Sequence, residues 1–515
     1  ENLNAENYMY GGLDFNSMME YAAGIWCDRL HTIDVESKDA GKVNQFYGAL
    51  YRASFLPHEM SDVNGDYPEF STGTVKMGNA TLSSKGYAVP AYSYLRKYGD
   101  FSMWDIYRAE LPLYSLITPK MSGEMMQSLV QMYKEGGWMP IFPCWNSYTA
   151  AMIGDHSGAA LADAYVKGIR NFDAAKAYEG MRLNAFSTPY LAKDYRDGKG
   201  RRAIRSYMDN GYIPLEDMVE EAFHTNEQTS RTLEYAYDDY AVAQMAKALH
   251  DSCQDATLRQ KYLEDYNDLM RRSENWRNVI NSATGWADGR YENGKWENNE
   301  DLVHRKSYIT EGATCHYTWY VPQNPEGLFE VIRNSKPMDK QEKQIEKMER
   351  KMEKKGETPV RNEKVIARLD KMFDNGWYWH GNEPCHQVAY LYDAAGAPEK
   401  TQERVHHILQ TEYNDTPGGL SGNDDAGQMS AWYVFSSIGF YPVCPGTPYY
   451  YIGTPSFDKV TLNLENGRKF ILSADRQHMD DYLIQSVTLN GKPLGDYRLS
   501  HQQILTGGEL HFQMK

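Results

Sequence analysis

Four acids in this chain stand apart from its ordinary surface charge: Glu311 in TEGATCHY, Glu383 in HGNEPCHQ, and the adjacent Asp424 and Asp425 in SGNDDAGQ. Each lies close to glycine and to aromatic or imidazole side chains, and none belongs to a Lys/Glu stripe. Carboxyls set apart in this way suit hydrolysis of a glycosidic bond. One protonates the departing oxygen, and in a single displacement a second activates water, the two standing about 6.5–9.5 Å apart across the sugar. Asp424 and Asp425 follow glycines that admit tight turns. They precede the apolar run Met429 to Phe440, which reads as a buried helix ended by Gly439. Helix capping by either acid is the plainer alternative.

These acids are far apart in sequence, so a scaffold must bring them together. From about residue 86 to 410, amphipathic helical stretches alternate with glycine- or proline-containing loops. Phe101 to Pro119 places Trp104, Asp105 and Arg108 around one helical face. SYITEGATCHYTWYVP gathers Glu311, His316, Tyr317 and Trp319 before Pro322 stops the element. From Lys336 to Lys371 the chain is dominated by Lys and Glu, and KQEKQIEKMERKMEKKGE reads as a solvated helix laced by i,i+4 charge pairs. Asp62, Asn64 and Asp66 alternate in MSDVNGDYPEF, which reads as turn chemistry more readily than as a calcium loop. After Tyr441 the period changes. Val460 to Leu464, Lys469 to Leu472, Ile484 to Leu489 and Leu510 to Gln513 read as strands, with LNGKPL as a tight hairpin.

The 515 residues include 40 Tyr and 11 Trp and carry a formal charge of -16. That balance, with no strong basic footprint, argues against a nucleic-acid partner. Six scattered cysteines without a CxxC give no support to a zinc or iron–sulfur site. No apolar run reaches the length of a membrane span. The aromatic excess suits both a core and a groove that stacks sugar faces.

GLSGNDDAGQMSAWYVFSSIGFYPVCPG, FSMWDIYR, TEGATCHYTWYVP and GNEPCHQ together resemble the blocks of glycoside hydrolase family 92, the calcium-dependent inverting exo-α-mannosidases. The resemblance implies a mainly α fold: an (α/α)6 toroid over residues 1–440, followed by a small antiparallel β-sandwich region over 441–515. It implies Asp425 as general base with Asp424 assisting, and Glu311 as general acid, with His316 as the alternative occupant of the acid's position. It implies Trp104, Asp105 and Arg108 as a sugar pocket joined by His316 and Trp319. It further implies Ca2+ held by Glu383, Gln387 and Asn423. The implied reaction is removal of terminal, α-1,2-linked mannose from glycans in the periplasm or outside the cell. Family members carry a β-rich domain ahead of the catalytic one, so contact with such a domain is expected. A noncatalytic carbohydrate-binding protein, or an enzyme of mannosyl phosphodiesters, is the alternative reading.

Overall fold

A computed structural model describes residues 14–62, 65–76, 81–82, 88–89, 96–189, 191–219, 224–357 and 361–515. Helices dominate up to residue 438. They include α1 (Ala40–Arg52), α2 (Met103–Ile106), α3 (Glu110–Ile117), α4 (Pro119–Gly136), α5 (His156–Val166), α6 (Gln228–Ser252), α7 (Ala256–Arg272), α8 (Thr314–Tyr317), α9 (Lys340–Lys354), α10 (Glu363–Asp374) and α11 (Gln428–Ile438). Neighbouring helices pack as successive pairs, α3 on α4 and α6 on α7, with α5 lying across α6. Helix α6 is buried along most of its length and carries Glu234, Asp238 and Asp239 inside the protein. These acids are matched by His156, Arg201 and Arg272, as buried charges require.

The stretch from Phe101 to Pro119 differs from the single helix its spacing predicts: it breaks between Ile106 and Glu110. Pro112 explains the break. It has no N–H to donate, and restarting the helix at Glu110 puts it in the first turn, where none is needed. The break turns Arg108 inward, where its Nε donates to the Trp104 carbonyl at 2.9 Å.

The C-terminal strands fall where the alternation places them. β1 (Ile33–Glu36), β2 (Lys459–Asn463), β3 (Lys469–Asp475), β4 (Ile484–Leu489), β5 (Lys492–Pro493) and β6 (Gly508–Met514) form one sheet in the order β1-β2-β3-β6-β4-β5. Asn490 and Gly491, both at positive φ, make the turn between β4 and β5. Two features were not legible. The pair β3–β6 runs parallel, so the sheet is mixed rather than wholly antiparallel. Strand β1 comes from the other end of the chain. Its partner β2 shares one core with Phe46 and Leu50 of α1 and with Trp432 and Phe435 of α11. The C-terminal sheet is thereby packed against the helix that follows Asp425.

Helix α9 is less solvated than its composition suggests. Glu342 is fully buried, and its carboxylate accepts from the Arg368 guanidinium of α10 at 3.2 Å, while Lys364 of α10 reaches Glu346 at 2.9 Å. Glu342→Ala should leave Arg368 buried without its counter-charge. We expect a loss of about 3–5 kcal/mol of stability, the usual cost of breaking a buried pair from one side. Denaturant midpoints check this, and an unchanged midpoint would return α9 to the solvated reading. Asn64 of the alternating-acid loop lies outside the described residues. The Gly65 N–H donates to the Asp62 carbonyl at 2.8 Å, a turn contact.

Candidate active site

The loop ahead of α11 has an unusual backbone. Asp425, Ala426 and Gly427 lie at φ of 46°, 60° and 99°, all left-handed. For Gly427 the cause is space as well as dihedral: a Cβ there would sit 3.0 Å from the Cα of Ala53 at the end of α1. The loop is thus pressed against the end of α1, which fixes the backbone that carries Asp425. Glu311 also takes a left-handed φ, of 50°. A side chain in this region is strained, and such strain collects at functional sites.

Both residues line one cavity of about 670 Å³, together with Trp104, Asp105, His316, Glu383 and Asn423. Carboxylate oxygens of Asp105, Glu383 and Asp425 all lie within 4.8 Å of one another. Burial first, and then the neighbouring Asp425 charge, pushes the Asp105 carboxyl up to about 8. Burial and the charges of Asp105 and Asp425 raise Glu383 well above the usual carboxylate range. Glu383 Oε1 and Asn382 Oδ1 are buried with no hydrogen-bond partner among the described residues. Three crowded acids, with orphaned oxygens on Glu383 and the adjoining Asn382, fit a hard divalent cation, which takes oxygen ligands and removes the mutual repulsion.

Glu311 is half-buried, and desolvation, aided by the Asp425 charge, raises its carboxyl against the opposing pull of His224 and Arg305. His316 is committed on both ring nitrogens. Nδ1 accepts the Ala313 N–H at 3.1 Å, and Nε2 therefore carries the proton that it donates to the Trp377 carbonyl at 2.8 Å. Burial lowers its pKa and keeps it neutral. Trp104 forms part of the wall, and its Nε1–H donates to Glu234 Oε1 at 2.9 Å. The Tyr317 hydroxyl donates to the same oxygen at 2.9 Å, so one buried carboxylate holds both the wall and the helix beyond Glu311.

Four expected site residues are turned elsewhere. Asp424 faces α11, where its Oδ1 accepts from the Ser430 N–H at 3.0 Å and the Ser430 hydroxyl at 2.7 Å. This is the capping role that its position also allowed. Gln387 donates to the Pro384 carbonyl at 2.9 Å, away from the cavity. Trp319 is fully buried edge-on to Trp286, at 6.2 Å between ring centroids. Arg108 lies behind the wall, its guanidinium over the rings of Trp104, Tyr107 and Tyr320. It supplies positive charge to the acids without lining the cavity. Asp105, read as a sugar ligand, instead joins the acidic cluster. The cavity also takes Asn382, Trp379 and Arg305. Asn382 and Trp379 adjoin Glu383 in sequence and were within reach of that signal, whereas nothing in the local pattern marks Arg305.

The cavity thus gathers the half-buried Glu311 carboxyl, an acidic cluster suited to a hard cation and aromatic walls. The model of the glycosyl hydrolase family 92 catalytic domain matches residues 1–515, and the chain belongs to that family. It is similar to the solved family 92 α-mannosidase BT3965 of Bacteroides thetaiotaomicron, with 30% identity and a TM-score of 0.81, over 98% of this chain and 60% of that one. That protein is also solved in complex with mannoimidazole. The inverting mannosidase BT2199 of the same organism is 30% identical, with a TM-score of 0.81, over 99% of this chain and 64% of its own. An uncharacterized secreted glycosidase of Arthroderma benhamiae is 29% identical over 439 residues, which is 79% of this chain and 50% of the relative. The chain therefore spans about half to two-thirds of the length of these relatives.

Proposed function

We propose that this chain is the catalytic unit of an exo-α-mannosidase that removes terminal, α-1,2-linked mannose from glycans with inversion, acting in the periplasm or outside the cell. The observation that carries the reading is the convergence of Glu311 and the Asp105–Glu383–Asp425 cluster on one cavity. The family's mannosidases, one of them inverting, and a secreted relative support it. The reading includes helical pairs closed into a toroid around the cavity and contact with a β-rich N-terminal domain.

In this account Glu311 is the general acid. Desolvation raises its pKa and so favours the protonated form, and its loop holds it at the cavity edge. His316 has no proton free for the task, since its single N–H is spent on Trp377. Asp425 is the general base: it takes a proton from the water that attacks the anomeric carbon opposite Glu311. Asp105, Glu383 and Asp425 would hold the cation, with Asn423 at the rim. A bound calcium ion supplies positive charge to the hydroxyls of the terminal mannose and to the acids around it. Trp104 closes one wall and excludes water.

Mannose released from an α-1,2-mannobioside is the first test; intact disaccharide after long incubation with calcium would contradict the reading. Glu311→Gln sharpens it. Loss of the acid should slow natural glycans by about 10²–10⁴-fold, and should slow aryl mannosides with good leaving groups much less. Because the Glu311 pKa is raised, the acid form persists as pH climbs and is lost above that pKa. The wild-type rate on glycans should therefore fall on the alkaline side, and the variant should lack that limb. Equal losses on both substrate types would remove Glu311 from the acid role.

A further inference from the structure

Near the cavity the chain makes a two-residue hairpin turn. Cys144 and Ser147 exchange backbone hydrogen bonds of 3.2 and 3.0 Å, and the central pair, Trp145 and Asn146, both lie at φ 53°. Such a turn favours Asn-Gly, because a side chain in the left-handed region crowds its own backbone. Asn tolerates that crowding and a bulky indole does not. Trp145 is also 84% exposed, a large apolar surface left in water. The residue combines backbone strain with exposure, and a glycine would relieve both.

The turn is firmly held. The Trp145 N–H donates to Asp100 Oδ1 at 2.7 Å, and Asn146 Nδ2 donates to the Glu69 carbonyl at 3.0 Å. The Ser71 N–H donates to the Asn146 carbonyl at 2.9 Å, and the Phe101 N–H to the Pro143 carbonyl at 2.9 Å. Two separate segments, residues 69–71 and residues 100–101, thus hold the turn. Its two arms continue directly into the cavity wall: Phe142 lies on one side, Ala151 and Met152 on the other, and Ser102 follows the Phe101 anchor. Trp379, 47% exposed, lines the same cavity.

We infer that Trp145 is a stacking platform at the lip of the cavity for a neutral pyranose ring of an oligosaccharide, beyond the bond that is cut. The inference rests on the glycosidase reading above. An indole on a rigid turn presents a broad face with little to order on binding, which is how preorganised aromatic anchors gain affinity. The uncharged face suits the C–H side of a sugar ring. Its place outside the lining residues leaves the terminal mannose to the cavity and gives Trp145 the remainder of the chain.

Trp145→Ala and Trp145→Gly are compared with wild type on an aryl α-mannoside and on manno-oligosaccharides of two to four residues. For the aryl mannoside, kcat and KM should stay unchanged. For the longer oligosaccharides, KM should rise about tenfold with kcat retained, equivalent to about 1.4 kcal/mol. Trp145→Gly should also raise the Tm, because φ 53° suits glycine. Equal changes on both substrates, an unchanged oligosaccharide KM, or a lowered Tm in Trp145→Gly would overturn the inference. If the wild type cleaves neither substrate, the glycosidase reading fails. Calorimetric binding of a manno-trisaccharide to wild type and Trp145→Ala then decides the platform by itself, equal affinities counting against it.

Discussion

Asp425→Asn should fold normally and, with calcium in large excess to keep the weakened cation site filled, retain its affinity for sugar while losing roughly 10²–10⁴-fold in turnover, the usual contribution of a positioned base. The expectation follows from how the residue is held. Gly427 presses the loop against the end of α1, so the backbone that carries Asp425 is held by packing. An amide of the same shape can take the carboxylate's place without moving the loop. The amide cannot take a proton from water, so the loss falls on kcat. Asp424→Asn provides the contrast. Its Oδ1 serves Ser430 at the start of α11, and an amide oxygen can accept the same two bonds, so the replacement should change stability by well under ~1 kcal/mol. The rate per folded molecule should change only a few-fold. Rates and unfolding midpoints measured on both variants separate the two roles. A reversed order, with Asp424→Asn the deeper loss in kcat, would move the base to Asp424.

Removing divalent cations should abolish activity, and calcium should restore it better than zinc. The cause is the crowding of Asp105, Glu383 and Asp425 within 4.8 Å, with the buried Glu383 Oε1 left without a hydrogen-bond partner among the described residues. An oxygen-only donor set of this kind suits a hard ion; among these residues there is no thiolate or imidazole to favour zinc. A readout independent of turnover is available. An ion that binds only the folded state stabilises it by about 2.7 kcal/mol at a hundredfold excess over its Kd. Adding calcium to chelator-treated protein should therefore raise the unfolding midpoint. Glu383→Gln should weaken or remove that rise. A midpoint indifferent to calcium, together with full activity in chelator, would contradict a cation at this cluster.

The legible parts of the site were those that announce themselves locally. Glycines and paired acids ahead of an apolar run marked Asp425 and α11, and the change of period after Tyr441 marked the strands. Glu311 and Glu383 were visible because each sits in a short block poor in surface charge. What remained hidden depends on contacts between distant segments. Asp105 meets Glu383 and Asp425 only once the helices pack, and its neighbours Trp104 and Arg108 disguised it as a sugar ligand. Trp319 has the right chemistry for a wall, but its position beyond α8 turns it towards Trp286 in the core. Glu342 looked like one more charge in a Lys/Glu run until Arg368 was brought against it. Strand β1 carries too few residues to declare that it completes a sheet formed by the other end of the chain.

The stereochemistry of the first product tests the central claim most directly. Proton NMR of an α-mannoside during early turnover, before mutarotation, should show the β-anomer of mannose appearing first. In the proposed mechanism, water activated by Asp425 attacks opposite the oxygen protonated by Glu311, and a single displacement inverts the anomeric carbon. Initial release of α-mannose would contradict the account, because retention requires a covalent intermediate on a carboxylate and would recast Asp425 as a nucleophile.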